Sequence, residues 1–172
     1  MDESGVRRAS AVDLAQALAA IAPQAPVAED RPPPLLAFDR RITDEGLRAV
    51  ARPRFASGHY ADSVEAGVKF LIESVKTKAG RDGDADGTGL MTSTFSVDRP
   101  VLRVNRLKSR SNRSEQLWYM HLMAGVCAAF RNPRAHSASV EDSPETALMM
   151  LELTDHLVET VRKSTRTRRS RA

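Results

Sequence analysis

Residues 117–130 form the most apolar segment of the chain, and none of them is an acidic residue, a lysine or an arginine. When the segment is wound as a helix, apolar residues lie on all its sides, which predicts a buried, central helix. The preceding Asn112-Arg113-Ser114-Glu115 resembles a capping box, so this helix should begin at Glu115. Asn132-Pro133 should end it near Phe130 or Arg131, because proline disfavours a helical conformation of the residue before it.

Two other long segments have the spacing of amphipathic helices. The first begins near Ser57 or Gly58, ends near Lys78 and repeats apolar residues every three or four positions (Tyr60, Val64, Val68, Leu71 and Val75). The second begins at Ser143-Pro144, since serine suits the N-cap and proline the first helical position. The predicted buried face of this last helix consists of Ala147, Met150, Leu151, Thr154, Leu157, Val158 and Val161.

Shorter elements fill the remaining sequence. A short helix is predicted from Thr43-Asp44-Glu45 to the residue before Pro53, and Leu90-Met91 with Phe95 is predicted to form a helical turn that packs inward. Residues 101–104 alternate weakly, which is compatible with an extended segment, but no segment has a pattern that predicts a strand. The predicted fold class is therefore all-α, a helical bundle.

The composition agrees with a helical core. Hydrophobic residues make up 41% of the chain but aromatic residues only 5%, so the core must be built from Ala, Leu, Val and Met, which suit helices. The single cysteine, Cys127, excludes a disulfide framework and a cysteine-based zinc site. Because we find no apolar run of about 18 residues and no signal peptide, we expect a soluble, cytoplasmic protein that does not enter a membrane.

Prolines and basic residues mark the segments outside the bundle. Residues 1–22 are predicted to form an N-terminal helical appendage, followed by a proline-rich linker at 23–39, the helical domain at 40–161 and a basic, disordered tail at 162–172. The tail holds six basic residues and no acidic one, and without it 20 basic residues face 22 acidic ones. The net charge of +4 is thus located in the tail, and the domain is close to neutral.

The hexapeptide Arg131-Asn132-Pro133-Arg134-Ala135-His136 directly follows the apolar segment and is the clearest candidate site. One interpretation is structural, because an arginine in the last helical turn interacts favourably with the helix dipole and a histidine in a turn needs no function. The other interpretation is catalytic. An arginine can hold a phosphate and an imidazole can move a proton near neutral pH, which together suffice for cleavage of RNA without a metal.

Cleavage of this kind needs two proton transfers. His136 would accept the proton of a ribose 2′-hydroxyl or donate one to the leaving oxygen, while Arg131 would stabilise the charge that builds on the phosphate. One histidine cannot do both at once, so a two-fold dimer would supply the second. The expected assembly is therefore a homodimer, and no metal or cofactor is expected.

The Arg131-x4-His136 spacing, with the polar Asn132 after the arginine and long helices on both sides, resembles the signature of the HEPN superfamily. From about residue 40 to 161, the order and spacing of several segments are similar, more narrowly, to the bacterial Ymh family. These segments are Gly58-His59-Tyr60 with Ala61, Ala66 and Lys69; Asp86-Gly87 with Leu90-Met91 and Phe95; Val101-Leu102 with Asn105; Ser114-Glu115-Gln116; Gly125; and residues 131–136. Leu117-Trp118 departs from the pattern, in which we expect smaller residues.

The resemblance implies a dimeric helical domain in which the arginine and histidine of both subunits face one cleft. Many HEPN proteins are metal-independent endoribonucleases of toxin–antitoxin, abortive-infection or anti-phage systems, which implies RNA as substrate and an antitoxin or defence protein as partner. Arg131 and His136 then take the catalytic roles given above, and Asn132 orients His136 or the phosphate. Other HEPN proteins only bind RNA or nucleotides, so the alternative is a non-catalytic module that acts with a partner protein and in which Arg131 and His136 bind RNA or nucleotide or stabilise the dimer.

Five basic residues are candidate RNA contacts, of which four precede the central helix and one lies in the hexapeptide: Arg103, Arg106, Lys108, Arg110 and Arg134. The usual alternative for such a run is solvated surface charge. The motif Asp82-x-Asp84-x-Asp86-Gly87 matches the start of an EF-hand loop, but Ser93 stands where a bidentate glutamate is needed, so we interpret a flexible acidic loop and expect no metal. The remaining histidines are interpreted as structural: His59 at a helix start, His121 in the core and His156 on the last helix.

Overall fold

The computed structural model of the chain describes residues 33–81, 87–136 and 141–167. Within these residues the chain forms a helical bundle with a single pair of two-residue strands, which confirms the predicted all-α fold class. Four predicted features lie outside the described residues: the N-terminal helix, the linker prolines Pro23, Pro26 and Pro32, the aspartates Asp82, Asp84 and Asp86, and the last five residues of the tail.

The described residues form seven helices, one π-helical turn and two short strands. In chain order they are α1 (Pro34–Arg41), α2 (Glu45–Ala56), α3 (Tyr60–Ala79), α4 (Gly87–Thr94), β1 (Leu102–Arg103), α5 (Arg110–Val126), a π-helical turn (Cys127–Arg131), α6 (Asn132–His136), α7 (Pro144–Lys163) and β2 (Thr165–Arg166). The two strands are antiparallel, with Leu102 opposite Arg166.

Side-chain caps fix where the helices begin. Asp44 accepts a hydrogen bond from the Leu47 amide at 2.8 Å, as an N-cap residue does. Ser143 accepts one from the Thr146 amide at 3.2 Å, which confirms the predicted start of the last helix. The central helix begins five residues earlier than predicted, because Ser109 caps it by accepting from the Asn112 amide.

Pro53 does not end the second helix as predicted, since α2 continues to Ala56. A proline within a helix has no N–H to donate and therefore leaves one carbonyl of the preceding turn without its helical partner. The loss is limited because only three residues of α2 follow Pro53. Arg54 Nη1 also donates to the Val50 carbonyl at 2.7 Å, so the last turn gains a side-chain hydrogen bond.

Both ends of the predicted helical domain extend further than expected. The sequence pattern assigns residues 34–39 to the proline-rich linker, but they form most of α1, with Pro34 at the start of the helix, where its fixed φ is favourable. At the other end, part of the predicted disordered tail pairs as β2 with β1. The prolines and the basic residues therefore predicted a longer linker and a longer disordered tail than the structure has.

Two clusters of buried side chains form the core. The larger joins α3, α4, α5 and the π turn to the C-terminal half of α7, and the smaller joins α1, α2 and the start of α3 to the N-terminal half of α7. Phe70 and Phe130 pack against both clusters. Phe130 directly precedes Arg131, so the candidate site begins where the chain is anchored between the two halves of the core.

Buried polar groups tie the ends of the helices together. Asp155 on α7 accepts hydrogen bonds from the Thr43 and Asp44 amides, and Asp44 forms an ion pair with Arg162 at 2.6 Å. The buried Gln116 on α5 accepts from the Val104 amide and donates to the carbonyls of Phe95 and Leu102. Gln116 therefore fixes the polar segment that carries the basic residues before α5.

The prediction that α5 is buried on all sides is wrong, because the helix buries only one face. Gln116, Met123 and Val126 are buried, whereas the opposite face is exposed and mostly apolar. We call this exposed face the α5 stripe; its residues are Trp118, His121, Leu122, Gly125, Ala128 and Ala129. His121 accordingly lies on the surface beside the Trp118 ring and not in the core. An apolar composition cannot distinguish a face that packs on the core from a face left exposed.

Candidate functional site

Arg131 lies at the end of a π-helical turn and not at the end of the helix. The amide of Asn132 donates to the carbonyl of Cys127, five residues earlier, and the helix continues to His136. Pro133 accounts for this geometry, because in a regular α-helix its ring would clash with the carbonyl four residues before it. The wider turn removes that clash, so Asn132-Pro133 offsets the helix and does not end it as predicted. Such single π turns are frequent at functional sites.

The residues of the hexapeptide differ in their exposure. Arg131 is half-buried, while Asn132 and Pro133 are exposed. His136 is the last residue of α6, and its side chain lies outside the described part of the structure. The site therefore presents a guanidinium and a carboxamide on consecutive residues of one helix, with His136 just over one turn further on.

Arg134 has a different role from the predicted one. Its guanidinium forms a two-pronged ion pair with Asp142, with Nε and Nη2 at 2.7 and 2.6 Å from the carboxylate oxygens. Both side chains are buried, at 5% and 8% exposure, and Nη1 donates to the Phe130 carbonyl. This guanidinium ties α6 and the π turn to the start of α7. We therefore do not retain Arg134 among the proposed RNA contacts.

The other predicted RNA contacts lie far from Arg131 within one chain. Arg106, Lys108 and Arg110 are exposed and Arg103 is half-buried, all before or at the start of α5. Arg110 and Arg131 belong to one continuous helical stretch, and 21 residues at about 1.5 Å each place them roughly 30 Å apart. The structure therefore does not bring the basic segment and the hexapeptide together within the chain.

Hydrogen bonds hold the basic segment in place. Asn105 Nδ2 donates to the Asn112 carbonyl and to Glu115 Oε2, and Asn105 Oδ1 accepts from the Leu107 amide. Leu107 has a φ of 53°, which is unusual for a residue other than glycine. Asn105 and Gln116 belong to segments that resemble the Ymh pattern. The pattern therefore includes the two residues whose hydrogen bonds hold the basic segment in place.

Sequence reasoning missed two features of the site. One is the π turn, for which the only signal was a proline directly after the most apolar segment. The other is the α5 stripe, which leads directly to Arg131. The only signal of the α5 stripe in the sequence was the departure of Leu117-Trp118 from the family-like pattern. In the structure Trp118 is 66% exposed on α5, and a large aromatic side chain in such a position often marks an interaction surface.

The described residues do not carry the groups that would mark two other kinds of site. Residues 33–81, 87–136 and 141–167 contain no group of three or more His, Cys, Asp or Glu side chains placed to hold a metal ion. Within the same ranges, no helix has the length and apolar character needed to span a bilayer.

Comparison with known proteins gives one match. A family model described as "Protein of unknown function (Hypoth_ymh)" matches residues 41–161, which run from the last residue of α1 into the final turn of α7. The match confirms the resemblance to the Ymh family over nearly the same range as predicted. No curated protein and no solved structure matches the chain.

Proposed function

Since the chain belongs to the Hypoth_ymh family, whose function is unknown, we propose its function from the candidate site. We propose that it is a HEPN-like, metal-independent endoribonuclease that works as a homodimer in the bacterial cytoplasm. Its biological setting would be a toxin–antitoxin or anti-phage system, in which an antitoxin or defence protein restrains it. The substrate is RNA, and the reacting groups come from Arg131, Asn132 and His136.

One observation supports this proposal most: Arg131 occupies a π turn whose position is fixed from both sides. Phe130 anchors the turn between the two core clusters, and the buried Arg134–Asp142 ion pair ties the following turn to α7. A guanidinium that must hold a phosphate in one geometry needs such a rigid support.

The proposed reaction requires no group beyond the chain and the substrate. The 2′-oxygen of a ribose attacks the adjacent phosphorus while a His136 imidazole accepts the 2′-hydroxyl proton. The bond from phosphorus to the 5′-oxygen of the next nucleotide breaks, and that oxygen takes a proton from a protonated His136 imidazole. The products are a 2′,3′-cyclic phosphate and a 5′-hydroxyl. Arg131 stabilises the added charge on the phosphate, and Asn132 orients the phosphate or His136.

Two imidazoles are needed in this reaction, one as base and one as acid. Each chain contributes one His136, so the site is complete only when two chains associate with their hexapeptides on one cleft. A dimer also explains why Asn132 and Pro133 are exposed in the isolated chain: a second subunit would cover this end of the helix.

The test is cleavage of labelled RNA in the presence of EDTA. General acid–base catalysis contributes roughly 10²–10⁴-fold, so His136→Ala should lose activity by about that factor while the protein remains folded. Arg131→Ala should lose activity comparably. His59→Ala and Arg40→Ala are matched controls, because both residues are exposed, lie outside α5 and α6 and should leave the rate unchanged.

The experiment also separates the enzyme from the non-catalytic alternative. Cyclic-phosphate ends produced by the wild-type protein and lost in His136→Ala would support the proposed enzyme. RNA retained without cleavage, or cleavage that His136→Ala leaves unchanged, would contradict it. Retention that Arg131→Ala abolishes would instead assign the site to a nucleotide-binding module.

A further inference from the structure

Arg103 on β1 is a half-buried arginine for which the described part of the chain supplies no acceptor. Its Nε is covered from solvent and has no hydrogen-bond partner among the described residues. Arg48, Arg52 and Arg134 are also partly or fully covered, and each donates to a carboxylate. Because a covered donor without an acceptor lowers stability, the guanidinium of Arg103 needs an acceptor from outside the chain.

A second covered donor lies beside Arg103 on the β1–β2 pair. Arg103 is opposite Thr165, and the Thr167 amide donates to the Val101 carbonyl at 2.8 Å, so the pairing continues to Thr167. Residues two apart on a strand share one face with the residues opposite them, which makes Arg103 and Thr167 diagonal neighbours, about 7–8 Å apart. The Thr167 hydroxyl is also covered and has no hydrogen-bond partner in the described ranges.

The β1–β2 pair also joins two stretches of the chain that are basic and contain no acid. Residues 99–113 contain six basic residues and no acidic one, and the same is true of residues 162–171. β1 lies in the first stretch and β2 in the second. Pairing of the two strands therefore concentrates positive charge around Arg103, and such a surface attracts anions.

The acidic residues that flank the first stretch already have other partners. Asp98 forms an ion pair with Arg113 at 3.0 Å. Glu115 accepts a hydrogen bond from Asn105 at 2.7 Å. The acceptor for Arg103 is therefore an anion that binds from solution.

We propose that Arg103 and Thr167 form a phosphate-binding site on the face of the β1–β2 pair that carries Thr165. The fork of a guanidinium matches two oxygens of a phosphate, and the Thr167 hydroxyl can donate to a third. Thr165 is exposed, and Arg103 and Thr167 are half-buried, so a phosphate can approach this face from solvent. A change of side-chain rotamer, which is common on binding, turns the two covered donors towards it.

The phosphate comes either from the backbone of RNA or from a free phosphate compound. The site rests on the proposed function only for the first of these sources. Arg106 and Lys108 are exposed a few residues beyond β1, and they extend the cationic surface along the chain. RNA held there would gain affinity and position without a contact to its bases.

The experiment follows thermal unfolding of the full-length protein in sodium phosphate and in sodium chloride of equal ionic strength. Inorganic phosphate at ten times its dissociation constant should raise the melting temperature by roughly 3–6 °C. Arg103→Met should abolish this rise. Thr167→Val, which removes the hydroxyl and keeps the shape of the side chain, should weaken phosphate binding by about tenfold.

Two comparisons keep the result interpretable. Arg40→Met is the matched control, because Arg40 is an exposed arginine on α1, and it should keep the full rise. In chloride, Arg103→Met should melt at the same temperature as the wild type or higher, since it removes a covered charge that has no acceptor. A clearly lower melting temperature in chloride would show that Arg103 is satisfied within the fold and would overturn the site.

RNA binding in the His136→Ala background identifies the source of the phosphate. If Arg103→Met weakens binding of both phosphate and RNA, the ligand is a backbone phosphate of RNA. If it abolishes only the response to phosphate, the site takes a free phosphate compound. Both results support the site and neither depends on cleavage, so a failure of the proposed nuclease leaves it standing. A melting temperature that phosphate does not raise, or raises equally in Arg103→Met, overturns it.

Discussion

Arg131 and Arg134 lie three residues apart on the same stretch of helix, but their surroundings give them different tasks. Arg134 is buried and fully engaged with Asp142 and the Phe130 carbonyl, while Arg131 is half-buried on the preceding turn. Sequence alone places both in one candidate site. The distinction comes from Asp142, which lies eight residues further along the chain and has no visible relation to Arg134 in the sequence.

The first expectation concerns the buried ion pair. Removal of one partner of such a pair leaves a buried charge, so Arg134→Met should lower the free energy of unfolding by roughly 3–5 kcal/mol. Arg134→Met combined with Asp142→Leu should recover part of that loss, because no unpaired charge remains. Urea denaturation measures both values. A double variant less stable than Arg134→Met would show that the unpaired Asp142 is not the source of the cost.

The second expectation concerns Asp39 on α1, whose carboxylate accepts two hydrogen bonds from Arg52 and one from Arg48. The hydrogen bond from Arg52 is the main reason that the pKa of Asp39 lies below its ordinary value. A carboxyl whose pKa is lower in the folded than in the unfolded state stabilises the fold above the unfolded pKa, near 4. That stabilisation is lost as the pH falls through the folded pKa.

Asp39→Asn should therefore unfold at a lower temperature than the wild type at neutral pH, and the difference should disappear in strong acid. Thermal unfolding between neutral pH and strong acid tests this. An equal difference between wild type and Asp39→Asn at all pH values would contradict the role of the ionised carboxylate.

At the scale of the elements, Pro53 and Pro34 show how one residue type acts differently by position. Pro53 lies inside α2, where it removes a helical hydrogen bond, while Pro34 lies at the start of α1, where no such bond is lost. Pro53→Ala should raise the free energy of unfolding by about 1–2 kcal/mol, since the restored bond outweighs the larger entropy of the unfolded chain. Pro34→Ala should bring no gain. Urea denaturation of both variants is the measurement.

The helices that the sequence predicts well are those defined by periodicity and a cap. α3 and α7 have both, and they begin and end within about two residues of the prediction. Three of the elements that differ depend on proline: α1, α2 and the π turn each contain or adjoin a proline that the sequence pattern treats as a break. Whether a proline breaks, begins or offsets a helix depends on the hydrogen bonds around it, which a single sequence does not contain.

The candidate site was predictable in part for the same reason. Arg131, Asn132 and His136 were predicted from their spacing and from the family-like segments, and their functional role stays a prediction. The α5 stripe could not be predicted, because burial on one face depends on where the other helices pack. The distance from Arg110 to Arg131 could not be predicted either, because the predicted helix ran only from Glu115 to about Arg131. In the structure the helical stretch runs from Arg110 to His136.

At the scale of the whole molecule, the exposed basic segment and the hexapeptide lie at opposite ends of one long helix. If bound RNA contacts both ends, the basic segment should supply salt-dependent affinity without a role in the chemistry. The variant Arg106→Gln/Lys108→Gln/Arg110→Gln should bind RNA more weakly. The slope of log affinity against log salt should fall by about 0.7 for each RNA phosphate that the variant no longer neutralises.

The measurement is RNA binding by fluorescence anisotropy at several salt concentrations, in the catalytically inactive His136→Ala background. Arg40→Gln/Arg54→Gln is the control, because both residues are exposed on α1 and α2. It should leave the slope unchanged. An unchanged slope in the triple variant would show that the basic segment does not contact the phosphates of RNA.

The π turn has a consequence for how this helix can change by insertion or deletion. A π turn is equivalent to a regular α-helix with one extra residue, and the wider turn absorbs that residue, so the helix beyond it keeps its orientation. Loss of one codon within residues 127–130 would restore regular helical hydrogen bonding and leave Arg131 and Asn132 on their present side of the molecule. Related chains that differ here by a single residue can therefore keep both the bundle and the site.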